Sequence, residues 1–177
     1  GQNALTVRNK TNKKWSTVRA TVNLSSGVHR WGVHIDRCIS KNIFIGVVTE
    51  DARSDNYVGC DRFGWAFLAN RAVWHSKGKI RSYGELFVTG DMIVVTLNLD
   101  LGTLSFSLNG KDLGIAVEGL SGSLYPAFSL YNEDDQVTLI PMKGVSALTS
   151  AELKGNEGPG VLSLGNTKLS ETVASHT

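Results

Sequence analysis

The alternation of apolar and polar residues is most regular in 91–117, where three short apolar stretches are separated by two glycine-containing turns. Asn109-Gly110 is the dipeptide that best accepts the two positive φ angles of a type I′ hairpin turn. A hairpin centred on this turn pairs apolar residues on one face: Phe106 with Leu113, and Leu104 with Ile115. Ser105 and Ser107 lie on the other face, so the pattern predicts two strands with one buried side.

A second turn is predicted at Leu101-Gly102, just before the first of these strands. The resulting pairs are again apolar: Leu99 with Leu104, Leu97 with Phe106, and Val95 with Leu108. Both hairpins therefore bury the same face, and the two independent turn signals predict a three-stranded antiparallel meander.

The rest of the chain up to residue 141 has the same character, with short β-branched and aromatic stretches separated by turn residues. Further strands are predicted at 5–8, 15–22, 29–36, 43–49, 63–69, 72–75, 79–82, 124–131 and 136–141. A turn at 76–78 joins two of them, and Gly46 marks a close approach of a neighbouring strand. Helical spacing occurs only in 147–154. This pattern predicts an all-β sandwich or barrel.

One long polar stretch, 50–62, interrupts the strands and is predicted to be an exposed loop. Trp31, Trp65 and Trp74 lie among apolar residues on predicted alternating strands, which favours core packing over ligand stacking. Tyr57 and Tyr131 instead adjoin polar loops, where an aromatic ring with a hydroxyl group can anchor a peptide.

Composition narrows the class of protein. The chain has 177 residues, enough for one domain, and its 18 basic and 16 acidic residues give a formal net charge of +2. This near balance, without long runs of like charge, is not typical of a nucleic-acid-binding protein. No apolar stretch reaches the roughly 20 residues of a membrane span, and the first residues lack the apolar region of a signal peptide. Cys38 and Cys60 are expected to be free thiols in a reducing compartment.

No catalytic or metal-binding pattern is found. His29 and His34 fall on opposite faces of a predicted strand, so they cannot chelate one ion. No serine lies in a nucleophile elbow, and Gly110-Lys111 lacks the flanking residues of a phosphate-binding loop. Asp91 and Asp100 adjoin glycine turns, where a structural role is expected. We predict that the chain is not an enzyme and binds neither cofactor nor metal.

Several motifs resemble those of SPRY domains. They occur in the order and spacing of that family, from the SG-x-H-x-W-x-V pattern at 26–33 through Gly64-Trp65, the stretch DLGTLSFSLNGKDLG at 100–114, and Leu124-Tyr125-Pro126-Ala127. The resemblance covers about 15–141 and is closest to SPRY domains within large intracellular proteins such as ubiquitin ligases and their adaptors. It implies a bent sandwich of two antiparallel sheets without a catalytic centre, and an intracellular, cytoplasmic location.

The resemblance also implies a binding surface formed by loops along one rim. The peptide-binding adaptors of this family use an aromatic residue before a Val-Gly pair and residues of the last inter-strand loop. The predicted site residues are Arg53, Asp55, Asn56, Tyr57, Tyr131, Asn132 and Glu133. The acidic residues at 133–135 would favour a ligand with a basic flank. The peptide signature of those adaptors is absent, so their ligand is not transferred.

Two functions remain open. In the first, the chain is a non-catalytic module that recruits a partner protein or linear peptide to a larger, ubiquitin-ligase-like protein; neither nucleic acid nor membrane is an expected partner. In the second, it is a structural domain that packs against other parts of its own polypeptide. The SPRY-like sandwich is predicted to span 1–142, and 143–177 to be a loosely structured extension or linker. Its most strand-like part, Val161–Leu164, could dock on an exposed sheet edge.

Overall fold

A computed structural model describes residues 3–142, 153–155 and 162–168. Within these ranges the chain forms strands joined by turns and loops, and no helix has the length and apolar character needed to cross a membrane. The strands are β1 (Asn3–Asn9), β2 (Ser16–Ala20), β3 (Val28–Arg37), β4 (Phe44–Val48), β5 (Gly64–Leu68), β6 (Ala72–His75), β7 (Gly78–Ser82), β8 (Met92–Asn98), β9 (Thr103–Leu108), β10 (Lys111–Val117), β11 (Tyr125–Leu130), β12 (Gln136–Pro141), β13 (Leu153–Gly155) and β14 (Leu162–Lys168).

The strands form two antiparallel sheets of seven strands each. The first sheet has the order β10-β9-β8-β3-β12-β1-β14, and the second has the order β13-β2-β11-β4-β5-β6-β7. β14 pairs with β1 along seven residues, and β13 pairs with β2, so strands from the C-terminal part of the chain form one edge of each sheet. The predicted all-β fold of two antiparallel sheets is confirmed.

The core lies between the sheets, because alternate side chains of each strand point inward. Trp31, Val33 and Ile35 of β3 are fully buried in it, as predicted from their alternation. Phe67 of the second sheet packs against Phe106 of the first, with ring centroids 5.2 Å apart. This contact joins the two layers.

The meander of β8, β9 and β10 is present, but the register of its first hairpin differs from the prediction by two residues. Val95 pairs with Phe106 and Leu97 with Leu104. The connection is a four-residue loop instead of a two-residue turn, because Oδ1 of Asn98 accepts hydrogen bonds from the N–H groups of Asp100 and Leu101. A shift of two residues leaves each side chain on its predicted face.

The second hairpin turns at Asn109 and Gly110, whose φ angles of 50° and 87° confirm the predicted two-residue turn. The pairing then shifts between Asp112 and Val117, so that Val117 and not Ile115 lies opposite Leu104. The predicted inward position of Ile115 is therefore wrong, and its exposed fraction is 48%. Gly114, with φ of +85°, lies within this β-bulge.

The predicted β6–β7 hairpin is also present. Its turn consists of Ser76 and Lys77, both with positive φ, while Gly78 already belongs to β7. Gly46 allows the expected close approach: a Cβ atom there would lie 1.9 Å from the carbonyl oxygen of Trp65 on the paired strand. The predicted helical segment 147–154 lies mostly outside the described residues, and its last two residues begin β13. The division of the chain at 142 remains a prediction.

Candidate functional site

Five aromatic residues meet on the face of the second sheet that points away from the core. They come from different elements and form a cluster, here called the outer cluster: Trp15, Phe44, Tyr57, Trp74 and Tyr131. Phe44 is 3% exposed, whereas the other four are only partly buried. The cluster therefore has a buried base and a partly accessible aromatic surface.

The strands explain why these residues lie outside the main core. β4 is buried on both faces; Ile45 and Val47 point to the core, so Phe44 points to the opposite face. Trp74 of β6 is on this same outer face. The prediction that Trp74 packs in an apolar environment is correct, but that environment is the outer cluster and not the space between the sheets.

The loop between β4 and β5 lies across the outer face and is tied to it by hydrogen bonds. The hydroxyl groups of Thr17 and Ser129, on neighbouring strands, are 2.7 Å apart. Ser129 Oγ accepts a hydrogen bond from the N–H of Val58 at 2.8 Å, and the N–H of Thr17 donates to the carbonyl of Ser54 at 2.9 Å. Val58 is buried, so the predicted exposed loop is exposed only in part.

The exposed part of this loop contains Arg53 and Asp55, which pair with each other. The Arg53 guanidinium donates to both carboxylate oxygens of Asp55, at 2.9 and 3.0 Å. This hydrogen bond lowers the pKa of Asp55 and raises that of Arg53. Asn56 has a local role, since its side-chain oxygen accepts from the N–H of Tyr57. The donors of Arg53, a predicted site residue, are thus already occupied by a neighbouring carboxylate.

The structure places Tyr57 and Tyr131 in the same cluster, with the ring of Trp15 between them. Trp15 lies 5.3 Å from the Tyr57 ring and 4.7 Å from the Tyr131 ring, measured between centroids. Tyr57 also stacks on Phe44 at 4.8 Å with an interplanar angle of 14°. The two tyrosines therefore do not enclose a slot; they form a continuous surface with Trp15.

The acidic turn after β11 differs from the prediction, because two of its three carboxylates already have partners. Asp135 is fully buried and accepts hydrogen bonds from the N–H groups of Ile39, Tyr131 and Asn132. Burial raises the pKa of Asp135. Asp134 forms an ion pair with Arg8. Only Glu133 is exposed, so the charge available to a basic ligand is smaller than the sequence indicates.

Asn132 belongs to this structural network. Its side-chain oxygen accepts a hydrogen bond from the Ser40 hydroxyl, and its backbone carbonyl accepts one from the Asn9 side chain at 3.0 Å. Its side chain is therefore already engaged within the chain, unlike those of Tyr57 and Tyr131, whose rings reach the surface.

The sequence pattern predicts no binding role for three members of the site. Trp15 and Thr17 lie in a predicted strand without an assigned role, and the pattern around Phe44 predicts only a buried strand. A usable signal was present: Trp15, Thr17 and Arg19 alternate with the inward residues of β2, so they share its outer face. The positions of the loop residues above that face depend on tertiary contacts.

A search with family models matches residues 28–143 to the SPRY domain. Among curated proteins, the chain is 34% identical over 128 residues to the Drosophila melanogaster protein gustavus, covering 63% of this chain and 46% of that protein. It is 31% identical over 128 residues to human SPRY domain-containing SOCS box protein 1, covering 63% and 47%. It is also 31% identical over 119 residues to the Xenopus laevis ATP-dependent RNA helicase DDX1, covering 67% and 15%. The chain thus spans less than half the length of these relatives.

Solved structures show the same fold. The SPRY domain of human HERC1 superposes with a TM-score of 0.67 at 21% identity, covering 77% of this chain and 89% of that one. A second human SPRY domain gives a TM-score of 0.65, also at 21% identity, and covers 73% and 86%. At this level of identity the likeness concerns the fold alone.

Proposed function

The chain belongs to the SPRY family, whose members are protein-interaction modules, and we propose that it recognises a linear peptide segment of a partner protein on its outer cluster. The finding that carries this proposal is the meeting of Trp15, Tyr57 and Tyr131, three partly exposed aromatic residues from separate elements, on one surface. Exposed aromatic surface of this kind is energetically favourable to cover, and Trp and Tyr are the residues most enriched among binding hot spots.

The surroundings of the cluster suit a polypeptide ligand. Tyr57 and Tyr131 each carry a hydroxyl group that can pair with a peptide main chain while the ring packs against a side chain. Arg53 and Asp55 lie in the same loop as Tyr57 and are exposed, so their hydrogen bonds can be exchanged for bonds to a ligand at small cost. Glu133 adds one exposed negative charge near Tyr131, favouring a basic residue at that end of the peptide.

We further propose that binding recruits the partner to a larger protein related to ubiquitin ligases or their adaptors. The relatives include proteins named for a SOCS box in addition to their SPRY domain. In this arrangement the present domain selects the partner and another part of the protein acts on it. A SPRY domain alone needs no catalytic group for this role.

The proposal can be tested by affinity purification of partners with the 177-residue chain, followed by peptide arrays that tile each recovered protein. A single linear motif is the expected result. Tyr131→Ala should weaken binding of that motif at least roughly tenfold, which is about 1.4 kcal/mol. Leu101→Ala is the matched control, because Leu101 is 74% exposed and lies in a turn of the other sheet.

Stability must be measured alongside binding. Tyr57 packs on the buried Phe44 ring, so Tyr57→Ala is expected to lower the melting temperature. Tyr57→Phe keeps the ring and tests the hydroxyl group alone. Unchanged affinity in a folded Tyr131→Ala variant, or partners that bind only through folded surfaces, would contradict the proposal.

One observation favours a second function, a structural domain that packs against other parts of its own protein. Ile80 on edge strand β7 and Ile115 on edge strand β10 are 53% and 48% exposed. The two edges are adjacent, because the Arg81 guanidinium donates to the carbonyl of Ile115 at 2.6 Å. Replacing both isoleucines by lysine should leave peptide binding intact if the outer cluster is the site. It should disrupt intramolecular packing in the parent protein if the structural role is correct.

A further inference from the structure

A pocket of about 230 Å³ with a mixed polar and apolar lining lies beside the outer cluster, on the same face of the second sheet. It is lined by residues of β2 and of the β4–β5 loop, including Thr17, Arg19, Glu50, Arg53 and Ser54. Thr17 separates it from the aromatic surface, since Trp15, Thr17 and Arg19 alternate along one face of the chain. Alternate residues of a strand are about 6.6 Å apart, so Arg19 lies roughly 13 Å from Trp15 along the strand.

Arg19 is the unusual member of the pocket. Its guanidinium group lies over the ring of Tyr125, 4.3 Å from the ring centroid, which holds the plane of the group in place. Its Nη1 atom is buried, and no residue in the described part of the chain accepts a hydrogen bond from it. A buried donor without an acceptor is energetically costly, and more so when it is charged.

The other charged groups of the pocket do not compensate Arg19. Arg53 is bonded to Asp55 through two of its donors. Glu50 is exposed and does not accept a hydrogen bond from the buried Nη1 of Arg19. A guanidinium that is held in orientation and has a buried donor without an acceptor is suited to a carboxylate, which can accept two parallel hydrogen bonds from it.

We propose that this pocket binds the carboxylate of an aspartate or glutamate in the recognised peptide, with Arg19 as its donor. The inference rests on the proposed function, because the peptide that contacts Trp15, Tyr57 and Tyr131 would extend into the pocket. At about 3.3 Å per residue, the acidic side chain belongs about four residues from the segment that covers the aromatic surface. A basic residue near Glu133 and an acidic residue at Arg19 then fix the direction of the peptide.

Glu50 provides a test of whether the pocket binds a negatively charged group. It would repel a carboxylate in the pocket but would accept a hydrogen bond from an amide side chain there. Glu50→Gln should therefore raise the affinity for an acidic peptide and should not raise it for the corresponding amide peptide. Arg19→Gln should lower the affinity for the acidic peptide.

The experiment begins with selection from a displayed library of random 12-residue peptides on the wild-type chain. An enriched peptide is then synthesised in its acidic form and with that residue replaced by the amide, and both are titrated by fluorescence polarisation. Arg19→Gln should weaken the acidic peptide at least roughly tenfold and the amide peptide by less than about twofold. Arg30→Gln, an exposed arginine on the first sheet, is the control and should change neither.

The outcomes separate the two proposals. Enriched peptides without a common acidic position, or an equal loss of both peptides in Arg19→Gln, would overturn the carboxylate pocket while the peptide-binding function stands. Failure to enrich any peptide would count against the function itself. The pocket is then decided by NMR titration with N-acetyl-glutamate methylamide and its glutamine counterpart. Shifts at Thr17, Arg19 and Ser54 with the glutamate compound alone support it, and equal or absent shifts reject it.

Discussion

Asn109 and Asp91 are joined across the base of the β8–β9–β10 meander: the side-chain amide of Asn109 donates to Oδ1 of Asp91 at 2.9 Å. The side-chain carbonyl of the same asparagine accepts a hydrogen bond from the N–H of Met92, also at 2.9 Å. Asn109 therefore has two functions, since it adopts the positive φ of the turn and connects that turn to the start of β8. The dipeptide pattern alone shows only the first.

Asn109→Ala should lower the free energy of unfolding by roughly 2 kcal/mol, because it loses both the left-handed preference and the two side-chain hydrogen bonds. Asn109→Gly retains the conformational freedom and should cost roughly half as much. Chemical denaturation with equal slopes measures both values. If Asn109→Ala and Asn109→Gly lower the free energy of unfolding equally, the left-handed preference of residue 109 does not contribute to stability.

Phe106→Ala should destabilise the fold by roughly 3–5 kcal/mol, because Phe106 is 2% exposed and packs between the sheets. Ile115→Ala is the variant to compare with it, because a regular hairpin register places Ile115 in the core, whereas the observed bulge places it outside. Its expected cost is below about 0.5 kcal/mol. A loss comparable to that of Phe106→Ala would contradict the bulge.

Asp135→Asn should destabilise the protein by at least roughly 2 kcal/mol. The carboxylate accepts three backbone N–H groups, and an amide would direct its own N–H at one of these donors. Glu133→Gln is a matched control in the same turn, and its expected effect is within about 0.5 kcal/mol because Glu133 is exposed. Denaturant titrations of both variants at pH 7 provide the comparison, and equal stabilities would refute the structural role of Asp135.

The two thiols should be unreactive at neutral pH. Burial raises the pKa of Cys38 and of Cys60 from 9.0 to about 11, with Asp61 adding to the effect at Cys60. At pH 8 the thiolate fraction is therefore about a hundredfold lower than in the unfolded chain, and alkylation by iodoacetamide should slow by a similar factor. Alkylation of the native protein as fast as of the denatured protein would contradict this expectation.

The same shifts make stability depend on pH. Because the folded-state pKa values lie above the unfolded ones, the thiols' contribution is fully present below pH 9 and is lost as pH rises through about 11. Wild type should therefore lose more stability between pH 8 and pH 11 than a variant with both cysteines replaced by serine. Denaturant titrations of both proteins at several pH values check this. The variant without cysteines measures the pH dependence that comes from all other titrating groups.

Several features could be predicted from the sequence because they depend on local rules. The Asn109-Gly110 turn, the inward face of β3 and the close approach at Gly46 follow from backbone geometry and from a side-chain period of two residues. Such rules act within one strand or one hairpin, so a single sequence is sufficient to apply them.

The predicted strand register differs from the structure where a side chain or a bulge alters the local pairing. Asn98 closes a four-residue loop between β8 and β9, where a two-residue turn would also fit the sequence pattern. The irregular pairing near Gly114 moves Ile115 out of the core. Neither change alters the predicted face of the β8 and β9 residues, which is why the fold class was correct although the register was not.

The amino-acid sequence by itself determined the strands, most of their buried faces and the family to which the domain belongs. The tertiary structure decided the site: Trp15, Phe44 and Thr17 acquire their roles only when β2, β11 and β4 are neighbours and the β4–β5 loop folds over them. It also decided which charges are free, since Asp135 is buried and bonded to backbone N–H groups of Ile39, Tyr131 and Asn132, and Arg53 is bonded to Asp55. The reason is that hydrophobic periodicity is a property of one strand, whereas a binding surface is made by residues far apart in the chain, whose proximity depends on the order of strands in the sheet.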